Sequence, residues 1–423
     1  MIILGATLNL KTPTMYSFTL TGKLLKYILI VLISLFIFWL GYLAKEKKVF
    51  PIKKFFSTEN VDAWKSNFSN GSKPLKLYGN DFILDFLPYQ KDLYKKTAGI
   101  FSTDQDGIQV LEQSKAQEIL IKYSVNLKDA DASSTLSHNG GLKKFFQYKH
   151  SLFGLFALQS TKDANCLYAS LINLSTQKEV FKAPCLPDKA NVDFNAIGGG
   201  HAQLHGQLLL AIGTPTTDTK QIADLAQNLK SPYGKILEFS DVQLFNTKDQ
   251  AITQFKIYSL GHRNPQGLIN LDGHIYEVEQ GPKGGDEINL IKQGKNYGWP
   301  MYTLGSKYNG SAYKASGNLS QFEPPLFSFV PSVAASNIIE CPENIRARYK
   351  PLSCVLVSSL RGKSIFLTLI EPTSQKVISM EKIEVGTRLR EFFLDQATND
   401  LYVTSDEGPM FKIVFRDIPE FVQ

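Results

Sequence analysis

Beyond residue 54 the chain has no net charge. Eight of its 46 basic residues and one of its 39 acidic residues fall within 1–54, leaving 38 of each sign in the remainder. A nucleic-acid-binding domain carries its basic excess on the folded part. The isoelectric point near 8.9 therefore belongs to the tail, and nucleic acid is excluded as a partner. Cysteine is scarce, with four residues and no Cys-x-x-Cys or Cys/His spacing suited to zinc. Long helical periodicity is scarce too, which disfavours a doubly wound α/β sheet. With 20% charged and 43% apolar residues and a mean hydropathy of −0.12, the chain is not disordered, collagen-like or polytopic.

Charge is also missing from Tyr27 to Ala44, 18 residues that would span about 27 Å as a helix. An uncleaved membrane anchor is expected, because the preceding segment is long and no Ala-x-Ala site follows. The alternative is a cleaved signal peptide, favoured if Met15 is the true start. Three Lys precede the segment and five follow it, so counting positive charge alone keeps the large domain cytoplasmic. The expected organisation is a tail (1–26), the anchor (27–44), a Lys/Ser/Asn-rich linker (45–74) and one folded domain (75–423).

Within that domain, short β-rich runs recur, each closed by small or polar residues: 152–160, 207–213, 274–281, 353–362 and 400–408. Their uneven period of roughly 60 residues suggests one supersecondary unit repeated with variable loops. Five to six such units fit a β-propeller of four-stranded blades. The C-terminal run 411–418 could pair with an N-terminal strand and close the ring. Cys166 and Cys185 flank one predicted hairpin, and Cys341 and Cys354 flank another. Four Cys allow three pairings; two local disulfides would suit an oxidising compartment, and free buried thiols fit equally.

The densest stretch is 258–300. His262-Arg263-Asn264-Pro265-Gln266-Gly267 is a turn with one permanent cation and several amides, and Gln280 to Gly285 is a second, glycine-rich turn. There a bare backbone could approach a ligand. Asp286 and Glu287 follow as adjacent carboxylates of the kind that suit a hard cation such as calcium. Turns favour these residues in any case, so composition alone fits two ordinary turns and a solvated acidic pair.

The wording of this stretch, GHRNPQG, then EQGPKGGDEINLI, then NYGWP, resembles the PQQ-dependent glucose and aldose sugar dehydrogenases, six-bladed propellers that bind pyrroloquinoline quinone (PQQ) and calcium. Weaker likeness covers HNGGL (138–142), SPYGKILEFSD (231–241), NYGWPMYTLGSKYNG (296–310), SSLRGKSIF (358–366) and TRLREFF (387–393). The resemblance implies that Arg263, Asn264, Arg361, Arg388 and Arg390 contact the quinone, with His138 where the family has a Gln. It implies that the carbonyls of Gly281 and Pro282 hold a calcium ion that polarises the quinone, and that Glu287 and Tyr297 belong to a further, structural calcium site. Guanidinium forks suit the three carboxylates of PQQ.

One part of the family pattern is absent. The base histidine position falls on Asn195 and that of its orienting Asp on Thr214; His201 and His205 are the candidate substitutes. The expectation is a six-bladed, all-β propeller behind a membrane anchor, facing the periplasm or exterior, where this cofactor is used. It would oxidise an aldose to a lactone and pass electrons to an external acceptor. A non-catalytic propeller binding a sugar, glycan or protein at its mouth is the alternative, and a calcium-dependent hydrolase is a third reading.

Overall fold

The structure is a computed structural model that describes residues 138–417 except 217–218, 246–250, 314–317, 396–398 and 407–409. It also describes Leu127 and five strands between 75 and 131. The predicted tail, anchor and linker lie outside the described residues. Among the described residues, no helix is long and apolar enough to cross a membrane.

The described chain is a β-propeller of antiparallel blades. Blade one comprises Gly141–Tyr148, Ser151–Ser160, Leu167–Asn173 and Lys178–Lys182. Blade two comprises Gly198–Leu204, Gln207–Ile212, Lys235–Phe239 and Lys256–Leu260. Blade three comprises Pro265–Leu271, His274–Glu279, Asp286–Ile291 and Phe327–Phe329. Blade four comprises Ala335–Glu340, Ser353–Ser359, Ser364–Glu371 and Lys376–Glu384. Blade five joins Leu389–Asp395, Asp400–Ser405 and Met410–Asp417 to Phe82–Tyr89 and Leu75–Tyr78 from the other end of the chain.

Each of the five recurrent runs read from the sequence is the second strand of a blade. These strands are buried along most of their length and largely apolar, because the blades pack face to face. One hydrophobic cluster joins blades one and two, another joins two and three, a third joins three and four, and a fourth joins four and five. The expected closure forms: Met410–Asp417 pairs with Phe82–Tyr89 along its whole length, which leaves neither strand as a free edge.

The expected count of six blades is corrected. Five blades are formed among the described residues, and a two-stranded hairpin, Gly99–Asp104 with Gly107–Glu112, stands apart from them. Its first strand touches the first strands of blades five and one. Both local disulfides form, Cys166–Cys185 and Cys341–Cys354, with Cα–Cα separations of 4.9 and 5.4 Å.

Candidate active site

The first strand of every blade starts at the same mouth of the ring. His138 therefore precedes blade one there, Asn195 precedes blade two, Arg263 and Asn264 precede blade three, and Arg388 and Arg390 open blade five. Each second strand returns to that mouth, so the turns that follow it open there as well. These turns carry Thr214, the pair Gly281 and Pro282, Arg361, and Asp406. Topology alone thus collects most of the sequence-predicted residues at one mouth.

A belt of side-chain amides ties blades two, three and four together. Asn264 Oδ1 accepts the Gly198 N–H at 3.0 Å and Gln266 Nε2–H at 2.7 Å. Its Nδ2 donates to the Asn195 carbonyl at 3.3 Å and to Gln280 Oε1 at 3.1 Å, while Gln280 Nε2 reaches the Ala335 carbonyl at 3.0 Å. Across the mouth, Asp406 holds both arginines of the Arg-x-Arg pair: Arg388 Nε donates to it at 2.9 Å, and Arg390 does so through Nε and Nη2. About a third of each arginine side chain stays exposed, and Arg361 is exposed on its turn. Lys143 adds a further cation, donating to the Asn139 carbonyl at 2.9 Å. Burial, and then the charge of Arg390, pull its pKa down to about 8, with Asp193 opposing.

Arg263 is buried, stacked 5.4 Å over Trp299, and Nη1 donates to the carbonyls of Gln280 and Gly281 at 2.9 and 2.8 Å. Its Nε has no hydrogen-bond partner among the described residues. The Pro282 carbonyl accepts from Ser332 Oγ at 3.2 Å. Bareness at Gly281 serves the turn itself, since a Cβ there would lie 2.1 Å from the Gly285 carbonyl oxygen.

The reading of Asp286 and Glu287 as one chelating pair is corrected. Neighbours on a strand point to opposite faces. Asp286 turns toward the loop before blade four, where it accepts from Ser332 Oγ at 2.8 Å and from the N–H groups of Val333 and Ala334 at 2.9 and 2.5 Å. Glu287 faces blade two and accepts from Asn289 Nδ2 at 3.3 Å. It lines a small cavity with Arg263, Glu279 and Tyr297, so the structure does bring Glu287 and Tyr297 together. The Tyr297 hydroxyl donates to the Leu290 carbonyl at 2.5 Å. Burial pushes the Glu287 carboxyl up to about 8.

Asn195 is exposed at the mouth, its backbone N–H held by Asp193 Oδ1 at 3.0 Å. Thr214 is buried and fully engaged: its N–H donates to the Arg263 carbonyl at 2.8 Å and its hydroxyl accepts Trp299 Nε1–H at 2.9 Å. The two candidate substitutes lie apart from each other in blade two. His205 lies in the turn between the first and second strands of blade two, at the far end of a strand that rises about 3.3 Å per residue. His201 lines a channel of about 560 Å³ with Phe146, Asn337 and Glu391, and stacks on Phe146 at 4.2 Å. Burial, chiefly, and then the Lys144 charge push its pKa down to about 3, too weak a base for neutral pH. His138 is half-buried, with Nδ1 at 3.3 Å from the Val192 carbonyl oxygen.

Sequence reading missed a buried polar layer on blade three. Glu277, Glu279, Glu287 and Asn289 share its blade-two face, beside His262. The signal was present as Glu-x-Glu and Glu-x-Asn, polar residues at the two-residue period of a strand set in otherwise apolar runs.

Fold and site together define a β-propeller with a cationic, amide-lined mouth. Residues 145–412 match the glucose/sorbosone dehydrogenase family model, and the chain belongs to that family. It is 36% identical over 200 residues to the aldose sugar dehydrogenase YliI of Escherichia coli (strain K12), a match covering 44% of this chain and 53% of that protein. The chain thus spans about half the length of the curated relatives it matches. The fold is similar to that of the soluble aldose sugar dehydrogenase from Escherichia coli in the apo-form (TM-score 0.61, 21% identity, covering 78% of this chain and 99% of that one). It is also similar to that of the PQQ-bound form of the aldose sugar dehydrogenase from Streptomyces coelicolor (TM-score 0.51, 18% identity, covering 79% and 98%).

Proposed function

We propose that the mouth binds PQQ and an aldose, and that the chain oxidises the anomeric carbon of the sugar to the lactone. The observation that carries this reading is the convergence of Arg361, Arg388 and Arg390 with the amide belt at one mouth. Partly exposed guanidinium groups, oriented by Asp406, suit the carboxylates of the cofactor. When bound, the quinone supplies the hydride acceptor, and an external acceptor later removes the electrons.

The carbonyls of Gly281 and Pro282 are the candidate calcium ligands. A cation on Gly281 competes with the guanidinium of Arg263, which holds that carbonyl at 2.8 Å. The buried, unpartnered Nε of Arg263 supports a side chain that swings toward the cofactor carboxylates when calcium takes its place. Glu287 and Tyr297 remain the candidates for a separate structural calcium. The proton of the sugar C1 hydroxyl leaves to water at the open mouth, since Asn195 cannot accept it. Turnover is correspondingly slow, a positioned base being worth about 10²–10⁴-fold.

Segment 27–44 anchors the chain in a membrane with the propeller on the extracytoplasmic side, and the two disulfides support that oxidising side.

The full chain, loaded with PQQ and calcium, should reduce a dye in the presence of an aldose and release the lactone. Tight PQQ binding without turnover on any aldose would instead favour a non-catalytic sugar-binding propeller, the reading that Asn195 and Thr214 support.

A further inference from the structure

We infer that His262, Glu277 and Glu279 form a binding site for a first-row divalent cation of the zinc or manganese class, buried between blades two and three. One donor atom from each of the three lies within 4.8 Å of the others. His262 Nδ1 is 3.2 Å from Glu277 Oε1 and 3.9 Å from Glu279 Oε2. Ligands at about 2.1 Å around a tetrahedral ion stand roughly 3.4 Å apart, so the three atoms bracket one ion with little movement.

Three observations separate this site from a chance acidic cluster. All three side chains are buried. His262 Nδ1 and Glu277 Oε1, which face each other, have no hydrogen-bond partner among the described residues, and neither has Asn289 Oδ1 close by. The surroundings also hold the ligands as a metal site requires. His262 Nε2 is 2.9 Å from Ser259 Oγ, and the His262 ring stacks on Tyr297 at 4.9 Å. Donation from Nε2–H to Ser259 leaves a lone pair on Nδ1, directed at the carboxylates. Asn289 Nδ2 holds the outer oxygen of Glu277 at 3.2 Å, and the Arg263 N–H holds Glu279 Oε2 at 2.9 Å.

Among the described residues, no Lys or Arg pairs with these carboxylates; the Arg263 guanidinium is directed to the carbonyls of Gln280 and Gly281. Lys235, the buried ammonium on the facing blade, spends its three N–H groups on the carbonyls of Leu225, Ala226 and Tyr233. An imidazole donor favours a transition ion such as zinc over calcium, and the two carboxylates also suit manganese, so the site differs in residues and chemistry from the Gly281–Pro282 carbonyls. The ion would staple the blade two–three connection to blade three. The inference does not rest on quinone binding.

The test uses the full chain, stripped with chelator, then titrated with zinc chloride or manganese chloride alone in excess calcium. Retained metal is measured after gel filtration. About one equivalent should remain bound, with a rise in melting temperature. Glu277→Gln should weaken retention about tenfold or more, and Glu287→Gln should weaken it less. No retained zinc or manganese, or full retention by Glu277→Gln, would overturn the inference in favour of a proton shared between His262 and Glu277. If Glu277→Gln does not fold, pulsed EPR of the manganese-loaded native chain decides. One directly bound imidazole nitrogen is expected, and a shell of oxygen donors alone overturns the site.

Discussion

Asn195 stands where a proton must leave the sugar, and an amide has no basicity to take it. Replacing it with histidine restores an imidazole at an exposed position of the mouth. Asn195→His should raise the kcat of aldose oxidation by about 100-fold, read by dye reduction at saturating sugar; an unchanged kcat would place proton removal elsewhere. Opposite it, Arg390 shares Asp406 with Arg388. Arg390→Gln should weaken PQQ binding about tenfold or more by removing a charge-assisted fork, while leaving the melting temperature of the cofactor-free chain within a few degrees. His201 carries a pH signature instead. Its pKa, lowered to about 3 from 6.5, means that the unfolded chain binds the extra proton between those values. The native chain should therefore lose stability as pH falls from about 6.5 to 3. His201→Phe, which keeps the stack on Phe146 without the titrating group, should lose less over that window in parallel thermal melts.

At the scale of elements, the second strands were legible because burial on both faces makes them short, largely apolar, β-rich runs closed by turns. The mouth residues were legible because their turns carry a long, specific motif. What was not legible came from pairing geometry. Asp286 and Glu287 read as one acidic pair, yet strand alternation sends one to the loop before blade four and the other to blade two. The bond from the Arg263 guanidinium to the Gly281 carbonyl likewise appears only in the folded chain. The layer of Glu277, Glu279 and Asn289 becomes a cluster only when His262 is folded against it. The disulfides, ambiguous among three pairings, resolve because each pair flanks local strands. The Cys341–Cys354 bridge closes a separation of 13 residues beside the second strand of blade four. Loss of such a short loop constraint costs about 3 kcal/mol in the chain-entropy view. Cys341→Ala with Cys354→Ala should lower the denaturation midpoint accordingly, without changing PQQ affinity.

At the scale of the molecule, the ring depends on strands from both ends of the chain. Met410–Asp417 is covered along one edge by Phe82–Tyr89; deleting residues 75–89 should expose that edge and promote aggregation, read by light scattering at equal concentration. Closure also fixes the mouth, since Arg388, Arg390 and Asp406 belong to the blade that it completes. The central claim is that this mouth is a PQQ site. It is tested most directly by titrating the calcium-supplemented full chain with PQQ in a calorimeter, beside a variant carrying Arg388→Gln and Arg390→Gln. The account predicts saturable binding of one PQQ per chain, lost in the double variant. Absence of binding to the native chain, or equal binding by the variant, would contradict it and leave the arginines as struts of the ring.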